Sequence, residues 1–205
     1  LNPRSRGTTL VELIVASALV LLLMGELWML LQTGSRFYLR SRSQSDLQRN
    51  ALIALRWMST DLAEGAPLSF KHYEPEFMST TDRDGFVFGS PKGEGEQVEY
   101  NDKGRLLWSS VIGYYIDPET KDLVRARMPV RPEPTVVAPQ INDSDYHIEE
   151  LSKTREDIKK RIVAQMAYDI KTTQGAQDVL VTLRFRDEDL GFGLTVQTRL
   201  EMKNK

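Results

Sequence analysis

The sequence predicts an α+β chain: one long N-terminal helix packed on an antiparallel β-sheet head. Three observations carry this. No proline occurs between Pro3 and Pro67, an interval long enough for one continuous helix. Leu47, Ala51, Ala54, Leu55, Met58 and Leu62 recur at three- and four-residue steps, which puts one apolar face on that helix. The last third of the chain instead alternates apolar and polar residues with period two, the mark of strands with one buried face.

The helix has two halves of different chemistry. Leu10 to Leu31 is apolar apart from a few positions and meets the ~20 residues that a bilayer span needs. From about residue 42 the surface opposite the apolar face carries Arg42, Asp46, Arg49, Asn50, Arg56 and Thr60. A helix over 8–62 would extend about 80 Å at ~1.5 Å per residue. Gly25 and Gly34 are its weak points, at roughly 1 kcal/mol each against Ala, and Gly65 with Pro67 forms its stop.

Beyond residue 62 the patterns are short and strand-like. Gly85–Phe88, Gln97–Tyr100 and Arg105–Trp108 are β-like runs, the last two separated by the turn Asn101-Asp102-Lys103-Gly104. Val111–Ile116 and Leu123–Met128 flank a hairpin loop at 117–122. Three further alternating sets follow: Ile162, Ala164, Met166, Tyr168 and Ile170; Val179, Val181, Leu183 and Phe185; Phe192, Leu194, Val196, Thr198, Leu200 and Met202. Between the strand groups, prolines 129, 132, 134 and 139 make an extended connector over about 129–143. Asn142, Asp143 and Ser144 then offer helix caps. Ile148, Leu151 and Ile158 give an apolar stripe, and Glu149–Lys153, Glu156–Lys160 and Asp157–Arg161 are favourable i,i+4 pairs. This reads as a short surface helix, in a decorated loop or, as the alternative, a partner-binding element.

Composition narrows the function. Residues 1–62 carry seven Arg and four acids, whereas 63–205 carry 20 Lys and Arg against 25 Asp and Glu. A mildly acidic head lacks the basic surface that nonspecific nucleic-acid binding relies on. With no cysteine, neither disulfide nor thiolate chemistry is open to the chain. His72 and His147 have no metal-ligand spacing. Asp82-Arg83-Asp84-Gly85 and Asp143-Ser144-Asp145 hold oxygen donors, but neither completes an EF-hand loop. The three glycines of 89–95 match no phosphate-binding pattern. No catalytic constellation, cofactor site or metal site is read from the sequence.

The N-terminus is more specific. A basic leader with Arg4 and Arg6 ends at Gly7, and Thr8-Thr9-Leu10-Val11-Glu12 opens the apolar run. A carboxylate inside such a run carries a cost near ~3 kcal/mol on insertion scales and is a functional hypothesis by default. A secretory signal peptide would be shorter and end in a small-x-small site. A plain anchor explains the run but neither the glycine boundary nor Glu12. Basic leader, glycine, then Thr-Thr-Leu-Val-Glu resembles the type IV prepilin signature, although Phe or Met more often follows the glycine in that family. The resemblance implies a pilin-like fold with a leader over 1–7, a helix over 8–62 and a head over 63–205. It also implies that prepilin peptidase cuts after Gly7 and methylates Thr8, and that Glu12 attracts the N-terminal amine of an adjoining subunit during assembly.

Glu26 is a second acid that most members lack. It lies about 40° round an ideal helix and roughly 21 Å along from Glu12, a geometry open either to pairing with a neighbouring subunit or to simple exposure. Ser45-Asp46-Leu47-Gln48-Arg49 through Asp61-Leu62, with Gly113-Tyr114-Tyr115-Ile116-Asp117 and Leu123-Val124-Arg125, is similar to minor pilins and pseudopilins of the J and W types. The implied protein is a non-enzymatic, single-pass subunit of the bacterial inner membrane with its head in the periplasm or outside. It would act in the tip or initiation complex of a type IV pilus or type II secretion pseudopilus. Its partners would be other minor and major pilins, through the N-terminal helix, together with prepilin peptidase and the inner-membrane assembly platform. The alternative is a membrane-tethered adhesin or receptor-type module that does not polymerise.

Overall fold

Helix α1 runs unbroken over Leu10–Glu64, 55 residues, as the proline-free interval predicts. The computed structural model describes residues 9–73, 84–93, 95, 97–139, 141 and 146–203. The chain falls into two units that meet at Ser43 and Gln44, inside this helix. In the first, α1 is bare and the large apolar side chains between Leu10 and Leu31 are all exposed. In the second, Leu47, Ala51, Ala54, Met58 and Leu62 are buried, while Leu55 packs partly buried beside them. The helix stops where Gly65 donates its N–H to the Leu62 carbonyl at 3.0 Å. A Cβ on Gly65 would come within 2.7 Å of the Phe88 ring, so only glycine allows the chain to turn there. Pro67–Ser69 then forms a 3-10 turn.

The head is α+β, with two antiparallel sheets where the sequence pattern suggested one. Strands β1 (Lys71–Tyr73), β2 (Gly85–Ser90), β3 (Ser110–Ile116), β4 (Leu123–Pro129) and β5 (Lys159–Ala164) lie side by side in chain order. Strands β6 (Ala167–Gln174), β7 (Asp178–Asp187) and β8 (Phe192–Glu201) make the second sheet. Residues 117–122 form the expected hairpin loop, its Asp117 carboxylate accepting from the Glu119 and Thr120 N–H groups. The turn at 101–104 also forms, with Gly104 at a φ of 71°. Gln97–Tyr100 and Arg105–Trp108, however, contribute only isolated bridges.

Alternation along β2 to β4 sorts side chains between two cores. Phe86, Phe88, Ile112, Tyr114 and Ile116 face the core shared with α1 and the second sheet. Val87, Val111, Tyr115, Val124, Ala126 and Met128 face a second core closed by Ile141, Ile148, Leu151 and Ile158. The segment read as a decorated loop is therefore a cover over the far face of the first sheet. Its helix α2 is only Ile148–Ser152, capped by His147, whose ring nitrogen accepts from the Glu149 N–H. The capping candidates Asn142, Asp143 and Ser144 lie outside the described residues. The pairs Glu156–Lys160 and Asp157–Arg161 are not helical, because residues 159–164 extend to hydrogen-bond β4. Lys153 pairs with Glu150, one turn away, not with Glu149.

The run 162–170 is also not one strand. Met166 takes a φ of 61°, which ends β5 in the first sheet and starts β6 in the second. Ile162 and Tyr168 are exposed while Val163, Ala164, Ala167 and Ile170 are buried, and the register shift between Ala167 and Asp169 in β6 is what returns Ile170 to the buried face. Residues Val179, Val181, Leu183 and Phe185 are fully buried, and β8 alternates as read.

One polar cluster sits within the main core. The Asp61 carboxylate, 1% exposed, accepts from Arg125 Nε at 2.5 Å, from a terminal Arg125 nitrogen at 3.1 Å, and from the Tyr114 hydroxyl at 2.6 Å. The Trp57 ring contacts the guanidinium groups of both Arg125, at 5.5 Å, and Arg161, at 4.5 Å. Removing one partner of a buried pair strands the other's charge, at a cost of roughly 3–5 kcal/mol. Asp61→Ala should thus lower urea-unfolding stability by about that amount. Asp61→Leu combined with Arg125→Met should lose markedly less, because no charge is left stranded.

Burial, then the Asp61 charge, push the Tyr114 hydroxyl well above the ordinary value of 10.0, with Arg125 opposing. An acid raised in the folded state keeps its stabilisation below its unfolded pKa and loses it as pH climbs towards the folded one. Stability should therefore decline above pH 10, and Tyr114→Phe should flatten that decline in urea melts at several alkaline pH values.

Candidate functional site in the N-terminal helix

The first turn of α1 is closed by a reciprocal pair of hydrogen bonds. Thr9 N–H donates to the Glu12 carboxylate at 2.9 Å, and Glu12 N–H donates to the Thr9 hydroxyl at 3.3 Å. This is a capping box, Thr-x-x-Glu, which satisfies two of the four N–H groups that a helix start leaves open. A carboxylate in the first turn also meets the positive end of the helix dipole. Glu12 is thus bound to its own helix end, a role the sequence reading missed although the Thr9-x-x-Glu12 spacing spells it. Gly7 and Thr8 lie outside the described residues.

Beyond the cap, α1 is long and apolar enough to cross a membrane, and no residue of its most apolar stretch is buried. Two of its hydroxyls bond within the helix: Ser17 donates to the Ile14 carbonyl at 2.9 Å and Ser35 to the Gln32 carbonyl at 3.0 Å. The backbone and the Ser17 hydroxyl between Leu10 and Leu31 therefore need nothing from the surroundings. Glu26 differs. It is exposed and, among the described residues, forms no hydrogen bond or ion pair. The structure does not join the two carboxylates, which are fourteen positions apart on the helix.

The head groups its polar residues for structure. His147 stacks edge-on against Tyr73, ring centroids 4.4 Å apart, and the Lys71 ammonium lies over the same tyrosine ring, 5.1 Å from its centroid. A small cleft is lined by Gly93, Ser109, Ser110, Arg127, Asp157 and Lys159. There the Ser110 hydroxyl donates to the Lys92 carbonyl at 2.6 Å, Ser109 donates to Glu99, and Arg127 donates to the Gly93 carbonyl at 3.0 Å. Asp84, a candidate oxygen donor for calcium, instead accepts the Ile170 N–H at 2.8 Å and so ties β6 to the first sheet. The companion acids Asp82, Asp143 and Asp145 lie outside the described residues. Among the described residues no three His, Asp or Glu side chains are grouped to hold a metal ion.

No protein-family model, curated protein or solved structure matches this chain.

The capping geometry makes a direct prediction. Glu12→Ala releases the Thr9 N–H, and loss of a cap costs ~1 kcal/mol. Amide exchange in the first turn should then speed up about five-fold in detergent micelles, with exchange in β2 to β4 unchanged. Unaltered first-turn exchange would remove Glu12 from the cap.

Proposed function

We infer that this chain is a pilin-like, non-enzymatic subunit that is cut after Gly7 and assembles through its N-terminal helix. The carrying observation is the order of features at the start of α1. A basic leader and glycine are followed by a threonine-rich start, Glu12 in the first turn, and a bare helix of bilayer length. An α+β head whose α1 face is buried against antiparallel strands supports the same reading. The chain would reside in the bacterial inner membrane and join the tip or initiation complex of a type IV pilus or a type II secretion pseudopilus.

The chemistry of assembly follows from the two ends of the cap. Cleavage after Gly7 would leave Thr8 with a free, positively charged amine. The Glu12 of a neighbouring subunit is the acid of fitting charge and depth to attract it. The attraction is strong where water is scarce, and an unpaired carboxylate there bears its desolvation cost alone. Leu10, Leu13, Ile14 and the residues after them would exchange lipid contacts for packing against other helices. Glu26, unpaired among the described residues, would take a basic group on a specific neighbour.

Intact mass and N-terminal sequencing of the protein from its membrane, with and without prepilin peptidase, test this. The expected product begins at Thr8 and carries the mass of one added methyl group, only where the peptidase is present. An uncut chain in both strains would favour the membrane-tethered binding module. Glu12→Ala should still be cut yet fail to crosslink to partner subunits, and Glu26→Gln should lose a subset of those crosslinks. Unchanged crosslinking in either variant would sink that residue's pairing role.

A further inference from the structure

Just past the apolar stretch, α1 carries a belt of opposite character. Arg36, Phe37, Tyr38, Leu39 and Arg40 continue the same unbroken helix. Phe37 and Tyr38 are 74% and 65% exposed. No Asp or Glu occurs between Glu26 and Asp46, so this section of helix has arginines without acids. Among the described residues neither Arg36 nor Arg40 forms an ion pair, and both are exposed. They stand four positions apart, on neighbouring faces of the helix.

We propose that this belt binds the anionic headgroups of the bilayer that α1 crosses, on the side opposite the leader. Leu10 to Leu31 spans about 33 Å at ~1.5 Å per residue, close to the ~30 Å hydrocarbon thickness. Arg36 and Arg40 follow roughly 8 and 14 Å further on, beside a headgroup layer some 5–8 Å deep. Helical side chains lean towards the N-terminus, so both arginines lean back towards the lipid. Long basic side chains reach an interface in this way, and exposed aromatic rings next to them suit the same depth.

Charge supplies the partner's identity. Arginines are disfavoured on the translocated side of a span, and Arg4 and Arg6 already load the other flank. Anionic phosphate groups compensate that charge, and a guanidinium pairs with phosphate in two-pronged fashion. The belt then fixes how deep α1 sits, and it adds a contact that must be given up when the helix leaves the bilayer. The inference rests on the membrane-spanning reading of α1 and not on cleavage or assembly.

Trp28 provides the reporter. It is 71% exposed and lies about 12 Å before Arg36 along the helix, at acyl-chain depth. The full chain is reconstituted in phosphatidylcholine bilayers containing either dibromo-acyl phosphatidylglycerol or dibromo-acyl phosphatidylcholine at equal mole fraction, and quenching of tryptophan fluorescence is compared. Trp57 and Trp108, in the head, give a constant background, and Trp28→Phe should abolish the difference between the lipids. The expected result is preferential quenching by phosphatidylglycerol, with a relative association constant raised roughly five-fold for each arginine. The double variant Arg36→Gln, Arg40→Gln should bring it close to one, while Arg105→Gln, which removes a charge from the head, leaves it unchanged. Equal quenching by both lipids, or a preference that survives the double variant, overturns the proposal. No quenching by either lipid overturns the membrane-spanning reading along with it.

Discussion

The head depends on one buried ion pair. Asp61 comes from the last turns of α1, whereas Tyr114 and Arg125 come from β3 and β4, 53 and 64 residues later in the chain. An isolated carboxylate at 1% exposure would be prohibitively costly. Three directed donors offset that cost only if helix and hairpin meet in a single register. Apolar packing between Leu47, Ala51, Ala54, Met58 and the sheet supplies most of the favourable energy but tolerates sliding. The polar cluster does not, since moving α1 by one turn would leave both charges without partners. Trp57 carries this restraint outward, because the ring that contacts Arg125 also contacts Arg161 on the edge strand β5.

With the helix fixed, the first sheet has one face committed, and its alternation forces the other face to find cover. Val87, Val111, Tyr115 and Met128 are as apolar as the residues facing α1. An antiparallel sheet can leave one face in water only when that face is polar. Residues 146–158 resolve this by laying Ile148 and Leu151 across the strands. The close approach has a sequence consequence: a Cβ on Gly113 would meet the Leu151 side chain at 2.8 Å, and one on Gly85 would meet Ile148 at 2.5 Å as well as the Tyr114 carbonyl of β3 at 2.2 Å. Gly113 marks the place where the covering helix comes down.

What the residues disclosed and what they hid follow from the range of the interactions. Helix α1 was legible because its spacing repeats over many turns, and Val179 to Phe185 because period two holds without a break. The hairpin at 117–122 was legible from local turn chemistry. Residues 156–161 misled because Glu156–Lys160 and Asp157–Arg161 satisfy a helical rule locally, while strand pairing with Ala126 and Arg127 outweighs it. The break at Met166 was hidden, since a positive φ at methionine leaves no compositional trace. Glu12 was legible as an anomaly, and its cap was available in the Thr9 spacing. The Asp61 cluster had no local signal: an Asp on the apolar face is recognisable as an exception, but its partners are set only by the fold.

The two acids of the apolar stretch differ in what they stand to gain. Glu12 already receives an N–H from Thr9 and lies at the positive end of a helix dipole, so part of its solvation is replaced within the chain. Under the proposed assembly a partner subunit would add to an acid that is already satisfied in part, which would let pairing be reversible. Glu26 sits mid-helix, where every N–H is committed to an intrahelical bond, and the side chains round it, Leu22, Leu23, Met29 and Leu30, are apolar. In a bilayer it would bear a desolvation cost of ~3 kcal/mol without internal relief. The same free energy would then be available to whatever supplies a cation at that depth, so under the proposed assembly Glu26 would discriminate between neighbours more sharply than Glu12. A general assembly contact and a selective one can thus be separated along a single helix by nothing more than distance from its cap.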